Sequence, residues 1–392
     1  VTRRAPAWLP FALALLWLAV GYANLARGTA WAGPRYRFTS FQHHAYSDVI
    51  ALHGDRYLGG AHPLPYLEDR IEYPVLLGLA LWLPSYAPGG VLGHLTATYL
   101  FLAACLAAAL WALVRLPGAR ALWLGGTPAL VYYAGLNWDL LPIALVALAL
   151  LALERGRPGG AGGLAALGVS AKLFPAVLGP PALGAYLGGA RARPALAFAV
   201  AGLAVLLAVN LPVALAAPEG WAWFFAFNAG RGAENSAWDA LGIPRGVLLE
   251  ALSAGPLALS ALAGAAAGFA VARRGGDPRR AVRLSVALAL VVWIATNKVW
   301  SPQYALYGFL AGALAAAPWP AFLALTAISA ADFHAAFEVR ARRWEEAFRD
   351  GVFHPVNLVR TAAWLLLAAW IARELWRAVR ARHGGARPSG EG

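Results

Sequence analysis

Two stretches of this chain, Trp8–Ala26 and Leu92–Val114, contain no acid, lysine or arginine. Each reaches the roughly 20 residues a helix needs to cross the hydrocarbon of a bilayer. Comparable apolar runs recur near 120–136, 140–153, 195–217, 246–272, 280–297, 302–317, 319–335 and 355–372. Two shorter pieces, 161–171 and 174–188, are separated at Lys172–Pro175 and read either as two crossings or as one re-entrant hairpin. The spacing predicts an all-α, polytopic bundle of about 10–12 spans. Of 392 residues, 60% are hydrophobic and only 13% charged, more apolar surface than a water-soluble fold of this size could hide. The runs are continuous rather than alternating, which excludes an outer-membrane barrel. The single cysteine, Cys105, excludes a disulfide framework. Its 26 prolines and 42 glycines point to broken spans around a cavity.

Arginine sets the orientation. The short loops assigned to the cytoplasm hold 18 of the 32 basic residues, from Arg3 and Arg4 to the tail after Ile371. The positive-inside rule then places both termini in the cytoplasm of a plasma-membrane protein, with Trp8–Ala26 as a retained first span, since no small-x-small cleavage site follows it. The chain reads as one membrane-embedded unit over 1–392. It has a first outer loop at 27–91 with juxtamembrane helices, further outer loops at 218–245 and 336–354, and a basic cytoplasmic tail at 373–392. The net charge of +13 is thus an inner-surface feature. No soluble basic module exists to bind nucleic acid. Acids and histidines gather instead on the outer face, where titratable groups point to chemistry or, more plainly, to solvated loop surface.

Four groups of residues there could carry chemistry. His44, Asp48 and Asp55 lie at offsets four and seven, which a helix would bring to one face. Asp48 at the mouth of an apolar cavity would have a raised pKa and suit a general base; the plainer reading is a helix cap. Lysine is rare: against 30 arginines the chain has only Lys172 and Lys298, each at the outer end of an apolar segment with a proline three or four residues later. A cation within the membrane costs about 2.5–3.5 kcal/mol, so it normally has a partner or a ligand, here an anionic lipid phosphate, unless it snorkels to the interface. Arg231 lies between two glycines beside an aromatic stretch and could approach a phosphate closely. Asn137–Trp138–Asp139 forms an outer turn in which Asp139 reads first as a cap of the next helix. Asp332 and His334 end another span, His334 reading as an interfacial residue or a sugar ligand. No Walker loop, HExxH, GxSxG or DxD pattern is present.

Several segments together resemble glycosyltransferase family 87: YSDV at 46–49 with PYLEDRIEYPVL (65–76), NWDLLPIALVALALLALERGRP (137–158), GLAALGVSAKLFPAVL (163–178) and NKVWSPQY (297–304). WFFAFNAGRGAENSAW (223–238) resembles an outer loop of actinobacterial-type members. The resemblance runs in order from about residue 8 to 372. It implies a GT-C-type membrane mannosyltransferase that takes a hexose from a polyprenyl-phosphate donor to a glycolipid or glycan acceptor, with inversion, on the outer face. Asp48 then takes the role of catalytic base, and Lys172, Lys298 and Arg231 hold the donor phosphate. His44, Asp55, Glu72, Tyr73, Asn137, Trp138, Asp139, Trp238, Gln303, Tyr304 and His334 become candidate cavity residues. No cofactor is demanded, because cations can offset the phosphate charge; a divalent metal between Asp48 and Glu72 stays open. The readings from other classes are a secondary transporter or flippase for a lipid-linked or anionic substrate, and a scaffolding subunit. The first predicts internal repeats, which the two halves do not display.

Overall fold

Backbone polar groups in hydrocarbon must be satisfied within the segment, and this chain satisfies them with helices. A computed structural model describes residues 6–33, 35–57 and 60–381. The basic ends noted above, Arg3, Arg4 and the tail beyond Ala381, lie outside the described residues. Among the described residues there is no strand, only the isolated bridges Pro65–Asp69 and Glu234–Val299.

The longer helices run α1 (Leu9–Gly28), α2 (Tyr36–Gln42), α3 (Asp48–Arg56), α4 (Val75–Trp82), α5 (Gly90–Leu113), α6 (Leu140–Glu154), α7 (Pro158–Ala171), α8 (Gly179–Gly188), α9 (Ala192–Ala216), α10 (Pro218–Gly230), α11 (Val247–Arg273), α12 (Pro278–Thr296), α13 (Ala305–Ala315), α14 (Trp319–Ala341) and α15 (His354–Arg380). Six of them, α1, α5, α9, α11, α14 and α15, are long and apolar enough to cross a membrane. Many prolines open helices rather than break them: Pro158, Pro218 and Pro278 stand in first turns, where the missing N–H would have no partner anyway.

Two apolar runs do not form single helices. Residues 120–136 give two short pieces, Leu122–Gly125 and Ala129–Tyr133, because Gly126–Thr127–Pro128 interrupts the helix between them. Residues 302–317 give a 3-10 turn and the 11-residue α13. In the other direction, α14 continues to Ala341, so the first part of the expected loop at 336–354 is helix.

The arginine-bearing loops converge at one end of the bundle. Arg115 and Arg155 both stack on Trp111, Arg279 and Arg283 both pair with Glu154, and Arg280 pairs with Glu374. The segment 158–189 is a hairpin, since its two ends, Pro158 and Gly189, line one small cavity at this end while Lys172 at its tip lies at the other. From the shared Trp111 level, the 24-residue α5 rises about 36 Å and the 15-residue α6 only about 22 Å. The turn preceding α6 is therefore recessed into the bundle.

The hairpin is held by close backbone approach. A Cβ on Gly162 would lie 2.0 Å from the Phe198 carbonyl oxygen of α9, and one on Gly184 would lie 2.1 Å from the Ala265 carbonyl oxygen of α11. Gly162→Leu should therefore destabilise the protein by about 1–3 kcal/mol, read as a lower Tm in detergent. Gly160→Leu is the control, where a Cβ meets only the Arg157 Cβ at 3.9 Å; its Tm should stay close to that of the parent.

Candidate active site

Opposite the arginine-rich end lies a cavity of about 690 Å³, lined from the α2–α3 region, the segment before α4, the α6 turn, the hairpin tip, α10 and its following loop, the α12–α13 connection and α14. Asp48 faces it as the first residue of α3. Ser47 caps that helix by accepting from the Val49 N–H at 3.1 Å, and its hydroxyl donates to the Gly135 carbonyl at 2.6 Å. The Asp48 N–H donates to the Leu136 carbonyl at 2.9 Å. This stitches the start of α3 to the turn before α6. The Asp48 carboxylate accepts from Tyr46 Oη at 2.8 Å on one oxygen and from Asn137 Nδ2 at 2.8 Å on the other. Burial pushes its carboxyl above the usual carboxylate range, against the hydrogen bonds from Asn137 and Tyr46 and the charges of Arg37 and Lys172. Burial raises the Tyr46 phenol as well, so it stays protonated and donates.

Both lysines reach this cavity. Lys172 is the residue at which α7 stops, in extended backbone, and its Nζ lies 2.5 Å from Asp139 Oδ1. The same oxygen accepts from Tyr307. Asp139 is thus not a helix cap, as the turn sequence suggests; its carboxylate is 1% exposed and serves the lysine. Lys298 follows α12 and donates to Glu250 Oε1 at 2.5 Å. Arg231 forms a bidentate pair with Glu234. The loop holding them is fixed where the Glu234 N–H donates to Lys298 O at 2.9 Å and the Trp300 N–H donates to Glu234 O at 2.8 Å. Behind it, Arg360 pairs with Asp332, stacks 4.0 Å from the Trp300 ring centroid and donates to Asn235 O at 2.8 Å. Asp332 also accepts from Trp300 Nε1 at 3.0 Å, so this buried ion pair holds a cavity wall rather than ending a span.

Glu72, Tyr73, Asn137, Gln303 and Tyr304 also line the cavity. Six other candidates do not. Helix α3 begins only at Asp48, so His44 is not on its face; it sits at φ 52° beside His334 and Glu338, away from the cavity wall. Burial and His334 lower its pKa, leaving it neutral near pH 7. Asp55 is exposed and pairs with Arg37 at 2.6 Å. Trp138 is buried behind Tyr73, and Trp238 donates to the Thr296 carbonyl at 2.6 Å. Asp139 is paired with Lys172, and His334 lies beside His44. Glu72 is held by Arg56 at 2.7 Å, and among the described residues no cluster of three or more His, Cys, Asp or Glu is arranged to hold a metal.

Arg340 was not picked out by sequence pattern. It lines the cavity from the last turn of α14, donates to the Ala336 carbonyl at 2.6 Å, and lies over the rings of Phe41 and Trp344. Among the described residues no carboxylate pairs with it, whereas Lys172, Lys298, Arg231 and Arg37 each have one. The available signal was an arginine in register with an aromatic-rich helix end, hidden by the expectation of a loop from residue 336.

Residues 72–297 match the sequence model of glycosyltransferase family 87. The chain belongs to that family. No curated protein and no solved structure matches it. The family match makes the chain a glycosyltransferase, and the helices make it a membrane protein. The matched region contains the α6 turn, Lys172 and Arg231; Asp48 and Arg340 lie outside it.

The two lysine pairs should respond differently to loss of the acid. Asp139→Asn strips the partner from a buried ammonium and should cost about 3–5 kcal/mol. Glu250 is 52% exposed, so Glu250→Gln should cost under about 1 kcal/mol. Denaturation in detergent compares the two.

Proposed function

We propose that this protein transfers a hexose, with mannose the first candidate, from a polyprenyl-phosphate donor to a lipid or glycan acceptor, with inversion at the anomeric carbon. The observation that carries the reading is a carboxylate, Asp48, held by Tyr46 and Asn137 and facing a cavity whose other lining acids, Glu72 and Glu234, are each paired with an arginine and whose remaining charge is mainly cationic. In this reaction Asp48 takes the proton of the acceptor hydroxyl as its oxygen attacks the anomeric carbon. The bond from that carbon to the phosphate oxygen breaks, and the leaving polyprenyl phosphate gains charge that Arg340, Lys172, Lys298 and Arg231 offset. Tyr304, tilted at 40° against Trp293 with ring centroids 4.9 Å apart, offers an aromatic face to a sugar.

A second cavity of about 370 Å³ supports a lipid-linked donor. It is almost wholly apolar, and it shares Tyr73, Pro74, Leu173, Phe224 and Phe225 with the first. One wall is α9, where only Ala195 and Phe198 are buried, so the groove runs along a helix turned toward lipid. A prenyl chain fits there with its phosphate at the cationic wall. The arginine-rich loops at the opposite end favour, by the positive-inside rule, a cavity that faces outward from the plasma membrane.

In proteoliposomes supplied with polyprenyl-phosphate-mannose and membrane lipid extract, Asp48→Asn should lower kcat about 10²–10⁴-fold while donor binding persists. Undiminished transfer by that variant would overturn the base assignment. Arg340→Ala should weaken donor binding about tenfold or more, as loss of a charge-assisted contact does, measured by titration with the labelled donor. Asn137→Ala removes a donor that stabilises the ionised carboxylate. Asp48 should then hold its proton to higher pH, and the acid limb of the kcat/KM profile should move upward.

A further inference from the structure

The positive-inside rule accounts for arginines in short loops, but not for one inside a helix. Arg283 is the sixth residue of α12, its side chain is 9% exposed, and it lines a separate cavity of about 220 Å³ at the arginine-rich end. This cavity lies at the turns where α6, α8 and α11 end and α7, α9 and α12 begin, and Arg191 and Arg279 also line it. Three guanidiniums therefore share the lining with one carboxylate, Glu154, whose two oxygens are taken by Arg283 at 2.8 Å and Arg279 at 3.6 Å, while Arg191 lies over the Tyr186 ring. The other described acids of these loops are committed elsewhere: Asp277 accepts from the N–H groups of Arg279 and Arg280, and Glu374 pairs with Arg280, Arg373 and Arg377. Helix ends do not supply the missing negative charge, because at each turn one helix ends as the next begins and their dipoles oppose. Leucine, alanine and valine side chains form the inner walls, so the space is cationic at the guanidiniums and apolar beyond them.

We propose that this cavity binds a phosphate-bearing group, the headgroup of an anionic phospholipid, with the guanidiniums on the phosphate and the apolar wall against the glycerol and first methylenes. An excess of arginine in a partly dry pocket at the headgroup level is balanced by such an anion. The site is distinct from the Asp48 cavity and does not depend on the reaction assigned to it.

Native mass spectrometry of the full chain, released from nanodiscs of mixed phosphatidylcholine and phosphatidylglycerol, tests this. The parent should retain phosphatidylglycerol, and Arg191→Ser combined with Arg279→Ser should reduce that retention about tenfold or more. These two residues sit at the rim, so the buried Arg283–Glu154 pair is left intact. Glu154→Gln should change retention in the opposite direction, upward, which a purely structural salt bridge does not predict. A parallel titration of delipidated protein with inorganic phosphate and glycerol 3-phosphate distinguishes the source. Arginine-dependent binding of these alone would support the phosphate site and assign it to a soluble ligand. Equal retention of both lipids, together with no arginine-dependent phosphate binding, would overturn the proposal.

Discussion

The buried ion pair between Lys172 and Asp139 joins two of the places where the helical bundle is interrupted. One is the tip of the 158–189 hairpin and the other is the turn before α6. Removing either charge leaves the other in a medium that solvates it poorly, so the two interruptions are locked as a unit. Tyr307 adds a hydroxyl to the same carboxylate and brings α13 into the knot. Asn137, two residues from Asp139, is thereby placed to hold Asp48, and that carboxylate inherits its position from a contact it does not make.

Short helices turn that lock into a site. Irregular backbone is tolerated at membrane depth only where it is covered by protein or lines a polar space. The hairpin tip, the α6 turn and the α12–α13 connection meet this condition together, because each lines the same cavity. The peptide groups they expose find partners in each other, as in the Glu234–Val299 bridge, or in side chains, as where Arg360 reaches the Asn235 carbonyl. The Arg360–Asp332 pair thus performs for one wall what Lys172–Asp139 performs for the other.

Charge within the cavity is arranged asymmetrically. Four cations arrive with their own carboxylates, which keeps them in place and limits the cost of burying them. Arg340 has only a carbonyl and two aromatic faces, so its charge is the one least offset by the protein. Asp48 shares the cavity with these groups, and burial raises its carboxyl despite the charges of Arg37 and Lys172.

Much of this was legible in the sequence. Uncharged runs of spanning length dictate a helical membrane bundle whatever the packing, and arginine spacing marks the loops that gather at one end. The rarity of lysine singled out Lys172 and Lys298, and the pattern around Asp48 singled out the carboxylate, because an ionisable group beside hydrocarbon needs a reason to be there. What these groups touch was decided only in three dimensions. Hydropathy averages over neighbours in the chain, so it could not register the break at Thr127–Pro128, nor the continuation of α14 that delivers Arg340. Helical spacing placed His44 with Asp48 on a helix that starts only at Asp48, and the turn sequence assigned Asp139 to capping. Its true partner lies 33 residues away, and a contact at that separation exists only once the helices have packed.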